Sequence, residues 1–380
     1  MNSPLADRHR GAGARFAGDA PDAELLTFGD VPAEYAAGAE GCLLLDATGR
    51  GLVRVTGDER TEFLHRLTAN AVRGLESGQG SRNLLLTAKG KIVQDFDLRV
   101  ADEEIWLSTA PGQGETLTTA LDMYLFAEDV TLEDRSGQHT PLEVTGPKAK
   151  DVLARALAGA LPADAHRTVE MQCGEQSVAV TRVPVAGAAG YRLDAGPEGV
   201  AALWDALVAA GATPGGRVAL DCLRVEAGAP EFGIDIDENI YPQEARAENA
   251  FHLEKGCYIG QEVVAKIDTY GGLNKRLVVV ALSHDDPIPR GAELMVPDED
   301  KGLRNVGLVT SWAYSFVRDT GVALAYVKRR NQGVGMRFTV RAPGEGPLLG
   351  QAEVVPMPVR AGALPPTGDF EDPVSATNAS

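Results

Sequence analysis

The chain is short of cysteine, of positive charge and of long apolar runs, and each shortage closes off a class of function. Its four cysteines, Cys42, Cys173, Cys222 and Cys257, are spread over 380 residues without a Cys-x-x-Cys pair. That spacing argues against a zinc ribbon and against a self-contained four-cysteine iron–sulfur site. It also argues against a disulfide scaffold, so a reducing, cytoplasmic setting is expected. Lys and Arg number 36 against 54 Asp and Glu, a formal net charge of −18. A surface that acidic repels phosphate backbones, and the densest basic cluster, Lys328-Arg329-Arg330, is short; direct nucleic-acid binding is not expected. No apolar run approaches the ~18 residues that cross a bilayer, and the first residues lack the apolar stretch of a secretory signal.

What is present is ordinary for a globular protein, with 44% hydrophobic and 24% charged residues in a length that suits two or three domains. Residues 1–22 and 359–380 read as disordered tails, the second being Pro-rich and acidic. Between them a unit recurs in which a strand ends, a glycine turns the chain and a helix begins. Its copies are Val55-Thr56-Gly57, Val144-Thr145-Gly146 and the looser Asp194-Ala195-Gly196, and a leucine follows each glycine by seven positions: Leu64, Leu153 and Leu203. These leucines should face a sheet. Arg82–Thr87 and Ile92–Val100 flank a turn at Ala88-Lys89-Gly90-Lys91 and read as a hairpin, with the alternation of the second strand slipping near Asp97. Thr116–Tyr124 has helical spacing. From Asn274 the pattern turns to strands at 277–282, 306–311, 321–327, 336–341 and 351–355, as in a small barrel or sandwich. The fold class is therefore α+β, with helices on antiparallel sheets, followed by a β-rich domain beyond Gly271-Gly272.

Chemistry is most concentrated in Lys255-Gly256-Cys257-Tyr258-Ile259-Gly260-Gln261-Glu262, which gathers a thiol, an ammonium, a carboxylate and an amide around two glycines. A cysteine beside a lysine can hold a lowered pKa and act as a thiolate or metal ligand; the bland reading is a turn with a half-buried cysteine. Cys42 and Cys222 sit in apolar patterns and read as core residues. A second rich segment runs from Asp221 through Arg224, Glu226 and Gly228 to Asp235, Asp237 and Glu238. Arg224 and Glu226 are two apart, so a strand would place them on one face and a helix would not. The acidic residues read either as a metal site or, more commonly, as a solvated loop. His65 reads as a boundary residue rather than a base, and His252, three residues before Lys255, is near enough to approach the octet but has no carboxylate in the sequence to orient it.

The octet resembles the signature of the YgfZ branch of the folate-binding T-protein superfamily. The segment Arg224-x-Glu226-Ala-Gly, then Phe232-Gly-x-Asp-x-Asp-Glu and Pro242, is similar to the central motif of that superfamily, which includes the glycine-cleavage aminomethyltransferase. Phe63–Val72, Gly307–Ser311 and Gly321–Val327 resemble further segments of it. The resemblance implies two interleaved α+β folate-binding subdomains over 23–272, a C-terminal β-barrel over 273–358, and tetrahydrofolate or a derivative as cofactor. In aminomethyltransferases a Gly-Gly-x-x-Asp-Asp run supplies a carboxylate toward the folate amines; only Asp95 remains of it here. The glutamate that binds the pterin is replaced by Arg192. The octet and Lys89-Gly-Lys91 match instead the YgfZ branch, which is associated with iron–sulfur cluster assembly or repair and with iron–sulfur enzymes that modify tRNA. By that likeness Cys257 and Asp95 are the reactive groups, and Cys257 would ligate one corner of a transient iron–sulfur cluster shared with a partner. Arg224, Glu226, Lys255, Tyr258, Gln261, Glu262 and Lys266 are the expected cofactor-binding residues, Arg224 and Lys266 toward the anionic folate tail. Iron–sulfur assembly or client proteins are the implied partners of a monomer. A one-carbon transferase is the alternative.

Overall fold

A computed structural model describes residues 3–20, 22–300 and 302–365. The chain forms two compact units. One comprises Met1–Val185, Ala189–Leu220 and Ala250–Gln261; the other comprises Ala186–Ala188, Asp221–Asn249 and Glu262–Ser380.

The first unit holds two sheets. The six-stranded sheet has the order Thr168–Cys173, Gln176–Val185, Ala188–Ala195, Thr140–Thr145, Leu43–Asp46 and Thr213–Gly215. Its last pair is parallel. The five-stranded sheet has the order Gly80–Leu86, Ile92–Val100, Ile105–Pro111, Arg50–Thr56 and Thr131–Asp134, with antiparallel pairing throughout. The chain leaves the six-stranded sheet at Asp46, builds the whole five-stranded sheet and returns at Thr140, so the two α+β subdomains interleave.

The recurrent strand–glycine–helix unit works as its pattern requires. The helices Arg60–Leu67, Ala149–Ala156 and Val200–Ala209 follow the three glycines, and Leu64, Leu153 and Leu203 are fully buried against the sheets. Gly57 and Gly146 have φ of +101° and +114°. A Cβ on Gly57 would lie 2.1 Å from the Asp129 carbonyl oxygen, so that corner admits no other residue. The hairpin at 88–91 forms as expected. Burial along Ile92–Leu98 alternates without a break, which corrects the slip expected near Asp97. Gln94, Phe96 and Leu98 point toward the helices, while Asp95 and Asp97 lie on the opposite face, a polar layer that resembles a solvent face in sequence.

The second unit contains a closed six-stranded barrel in the order Lys275–Leu282, Thr320–Lys328, Gly302–Ser315, Glu293–Asp298, Arg337–Arg341 and Leu348–Val355. Val278, Val280, Leu294, Val296, Ala323, Ala325, Phe338 and Val354 are among the residues that fill it. Glu293–Asp298 is the strand the sequence pattern missed, because Glu293, Pro297 and Asp298 interrupt its apolar run.

Two expectations about the tails are corrected. Within 1–22, Ala6–Gly11 is helical and Leu5 and His9 are buried. The His9 ring lies 3.0 Å from Asp46 and 4.6 Å from the Trp204 ring, so one apolar and one polar anchor order a segment whose composition looks disordered. At the other end the Val359 amide donates to the Glu226 carbonyl at 2.7 Å and the Leu364 amide to the Gly187 carbonyl at 2.8 Å. The rest of that tail, 366–380, lies outside the described residues.

Candidate functional site

The Cys257 loop belongs to the first unit and is fixed at several points. The His252 amide donates to the Ala69 carbonyl at 2.9 Å, just beyond the helix Arg60–Leu67. His65, on that helix, and Lys255 are bound to each other twice. The His65 Nε2 lies 3.0 Å from the Lys255 carbonyl oxygen, and the Lys255 ammonium donates to the His65 carbonyl. Gln261 Nε2 donates to the Leu253 carbonyl at 3.1 Å, which closes the loop on itself. Gly260 has φ of +81°, and a Cβ there would lie 2.5 Å from the Thr87 carbonyl oxygen and 2.9 Å from the Gly90 Cα. The octet therefore packs directly on the Lys89-Gly-Lys91 turn, and two motifs 170 positions apart meet through their glycines.

Within this frame Cys257 is the exposed cysteine; Cys42 and Cys222 are buried and Cys173 is partly so. Burial pushes the Cys42 and Cys222 thiols up to about 12, which removes them from thiolate chemistry. Lys255 does not stand free beside Cys257, as the sequence suggests. Its ammonium is spent on the His65 carbonyl and lies 5.2 Å from the centre of the Tyr258 ring. Burial, and then the charge of Arg73, lowers its pKa to about 8. Tyr258 is buried, and its hydroxyl has no hydrogen-bond partner among the described residues; burial raises it to about 12.

Asp95 and Asp97 project into the polar layer between the two sheets. Arg82 takes Asp95 through both Nε and a terminal nitrogen, the first at 3.0 Å. Asp97 receives Arg192 at 3.0 Å, and Arg192 also donates to Glu143 at 3.0 Å. The His166 Nδ1 is 3.6 Å from Asp97. Burial works to raise the Asp97 carboxyl, but the charges of Arg192, His166 and Arg50 overcome it and hold it below the ordinary value. Beside these groups is a cavity of about 20 Å³ lined by Leu52, Ser108, His166, Thr181 and Arg192. It has room for a water molecule or two. Asp97 was missed as a functional candidate, although its same-face spacing from Asp95 was the available signal.

The remaining expected residues belong to the second unit. Arg217–Ala227 is a helix, which settles the choice left open for Arg224 and Glu226 and separates their side chains. Arg224 is buried and ion-paired with Asp221 at 2.6 Å, Glu231 at 3.4 Å and Asp235 at 2.8 Å, with Ser311 completing its shell at 2.9 Å. A guanidinium so enclosed is a structural tie and not an open receptor for an anionic tail. Asp235 is likewise a buried partner, which corrects the solvated-loop reading for that residue. Glu226 accepts from the Ser315 hydroxyl at 2.6 Å. Glu262 and Lys266 form an exposed pair one helical turn apart at 2.6 Å. Among the described residues no group of three or more His, Cys, Asp or Glu is placed to hold a metal ion, and no helix is long and apolar enough to cross a membrane.

Known proteins match along most of this chain. The profile of the GCVT N-terminal domain covers residues 5–255 and that of the glycine cleavage T-protein C-terminal barrel domain covers 275–359. An aminomethyltransferase of Chlorobaculum parvum is 30% identical over 320 residues, 82% of this chain and 86% of that protein. A chloroplastic protein of Arabidopsis thaliana described as a transferase is 28% identical over 304 residues, 79% of this chain and 68% of that protein. The crystal structure of the glycine cleavage system aminomethyltransferase T from Bartonella henselae superposes with a TM-score of 0.82 at 24% identity, covering 96% of this chain and 99% of that one, which is a likeness of fold. With interleaved α+β subdomains, a closed barrel and both profiles in order, the chain belongs to the glycine cleavage T-protein family.

Proposed function

We propose that this chain is a tetrahydrofolate-binding accessory protein of the YgfZ type, in which the Cys257 thiol serves iron–sulfur cluster assembly or repair for client enzymes, tRNA-modifying ones among them. One observation carries the reading: of four cysteines, Cys257 alone is exposed, and it stands on a loop pinned to a helix and a hairpin turn. A thiol held out on a rigid support suits transient capture of sulfur or iron, or one corner of a cluster completed by a partner. The chain offers no second cysteine nearby in sequence, so the remaining ligands belong to that partner.

Family membership supports a folate ligand. Position 192 does not fit a pterin in the way a carboxylate does. The 2-amino and N3–H edge of a pterin needs paired acceptors, whereas arginine has donors only, and Arg192 directs them at Asp97 and Glu143. The proposed folate contacts are therefore other than position 192, and ordinary aminomethyl transfer is disfavoured. Two experiments test the reading. Cys257→Ala should lose complementation of a strain deficient in iron–sulfur enzyme activity while keeping its fold; full complementation overturns the proposal. Anaerobic calorimetry with tetrahydrofolate should show binding by wild type and Cys257→Ser alike; binding by neither removes the folate part.

The second reading is a one-carbon transferase acting on an aminomethyl or N-methyl donor. It is favoured by the 30% identity to an aminomethyltransferase and by the retention of Asp95. Formation of methylene-tetrahydrofolate by the purified protein from such a donor, lost in Asp95→Asn, would establish it.

A further inference from the structure

We propose that His65 is the positioning residue of the Cys257 loop and acts as a pH-operated clamp: its neutral ring holds the loop, and gain of a second ring proton releases it. The inference rests on the reading of Cys257 as the working thiol, but its geometry does not involve the thiol itself.

The tautomer of His65 follows from its neighbours. Its Nδ1 faces the backbone amides of Val72 and Arg73, each at 3.2 Å, and both are donors. A ring nitrogen that accepts from two N–H groups presents its lone pair and carries no hydrogen. The single ring proton is then on Nε2, where it donates to the Lys255 carbonyl at 3.0 Å. The Lys255 ammonium returns the contact to the His65 carbonyl. One residue thus grips, through its ring and its main chain, both the carbonyl and the side chain of a loop residue 190 positions away, and the same ring caps the segment after its own helix.

An imidazolium cannot make this arrangement. With both nitrogens protonated, Nδ1 becomes a third donor pointed at two others. The charged groups facing the ring are Lys255 on the loop, Arg73 on the segment after the helix, and Glu62 on the helix itself. That is two cations against one carboxylate, and Glu62 is itself bonded to Arg73 at 2.8 Å. Burial first, and then the Lys255 charge, lowers the ring below its ordinary value. The sign follows: the clamp is at full strength above the unfolded histidine value of about 6.5 and is lost as pH falls through the lower folded value. Below that point the ring is driven off the Val72 and Arg73 amides that seat it, and the Cys257 loop loses the His65 anchor while keeping its His252 and Gly260 contacts.

The test is amide hydrogen exchange on the full-length protein, read in peptides covering 252–258 and 65–73, for wild type, His65→Gln and His65→Ala. Glutamine offers an amide NH2 donor and a carbonyl acceptor and does not titrate. At about pH 7.5 wild type and His65→Gln should be protected alike, and His65→Ala should exchange on the order of tenfold faster, the scale of a net hydrogen bond. Between about pH 7.5 and about pH 5, after correction for the intrinsic rate, wild type should lose protection and His65→Gln should keep it. Equal pH responses of wild type and His65→Gln, or an unaffected loop in His65→Ala, overturn the clamp. If His65→Ala fails to fold, the other two proteins still decide the matter, and nitrogen NMR of His65 reports the tautomer directly; a proton on Nδ1 at neutral pH overturns the proposal. Normal exchange behaviour in Cys257→Ala that complements fully would sink the thiol reading and leave the clamp standing, so the two failures are distinguishable.

Discussion

Arg192 and Asp97 meet at 3.0 Å between the two sheets of the first unit, and Glu143 takes the guanidinium Nε at the same distance. One buried cation bridges carboxylates from both sheets, so it acts as a tie between the interleaved subdomains. It also occupies the position where the likeness to aminomethyltransferases calls for a pterin-binding acid.

Arg192→Met should be destabilising, because it takes from the half-buried Asp97 and the buried Glu143 their nearest counter-charge and leaves them only His166, 3.6 Å from Asp97, and Arg50, 3.6 Å from Glu143. Breaking a buried pair from one side costs roughly 3–5 kcal/mol, which is the upper bound here because Arg50 and His166 stay in place. The double variant Arg192→Met with Asp97→Asn should recover part of that loss. Urea unfolding of the three proteins measures both numbers; a cost under about 1 kcal/mol for the single variant would mean that water screens the pair.

The four thiols should separate by reactivity. Cys257 is exposed, whereas burial holds Cys42 and Cys222 at about 12. Native protein treated with an aromatic disulfide at neutral pH should show one fast thiol, and Cys257→Ser should abolish that phase. Cys42 and Cys222 should react only once the chain is unfolded. The partly buried Cys173 should react more slowly than Cys257, and a fast phase that survives in the double variant Cys257→Ser, Cys173→Ser would contradict the burial of Cys42 and Cys222.

Much of the fold was legible because it rests on local periodicity. Leu64, Leu153 and Leu203 each follow a turning glycine by a fixed interval, and each is buried as that interval requires. Strand 92–100 reads as a strand because one face packs on helices, but the purpose of its polar face was not legible: Asp97 resembles a solvated residue until the second sheet supplies Arg192. The N-terminal helix was hidden because two anchors, Leu5 and His9, do not outweigh a polar composition. At the candidate site, the sequence marks the Cys257 octet and the Lys89-Gly-Lys91 turn separately. Their contact through Gly260, and the His65–Lys255 clasp, are long-range pairings that local spacing does not encode.

Lys255 should titrate near pH 8. Burial is the larger cause and the Arg73 charge the second, so Arg73→Ala should raise the midpoint without restoring it fully. The sign for stability is positive with pH: between about 8 and about 10.4 the unfolded chain binds a proton that the folded one has released, so folding strengthens as pH rises through that window. Reductive ¹³C-methylation keeps the charge and makes the midpoint visible by NMR. A Lys255 resonance titrating with the surface lysines would show that its amine is solvated.

Two glycines of the octet should differ sharply when replaced by alanine. Gly256 has φ of +109°, but a Cβ there meets nothing within 4 Å, so Gly256→Ala bears only the backbone cost of a left-handed residue, about 1–2 kcal/mol. Gly260 has φ of +81° and in addition would place its Cβ 2.5 Å from the Thr87 carbonyl oxygen and 2.9 Å from the Gly90 Cα. Both of those atoms are backbone, so neither can swing aside as a side-chain end would. Either the loop lifts away from the hairpin or the hairpin turn deforms, and Gly260→Ala should cost on the order of 2–4 kcal/mol. Thermal unfolding of both variants gives the ranking, and amide exchange at 88–91 locates the strain. Equal costs for the two substitutions would mean that the octet does not bear on the hairpin turn.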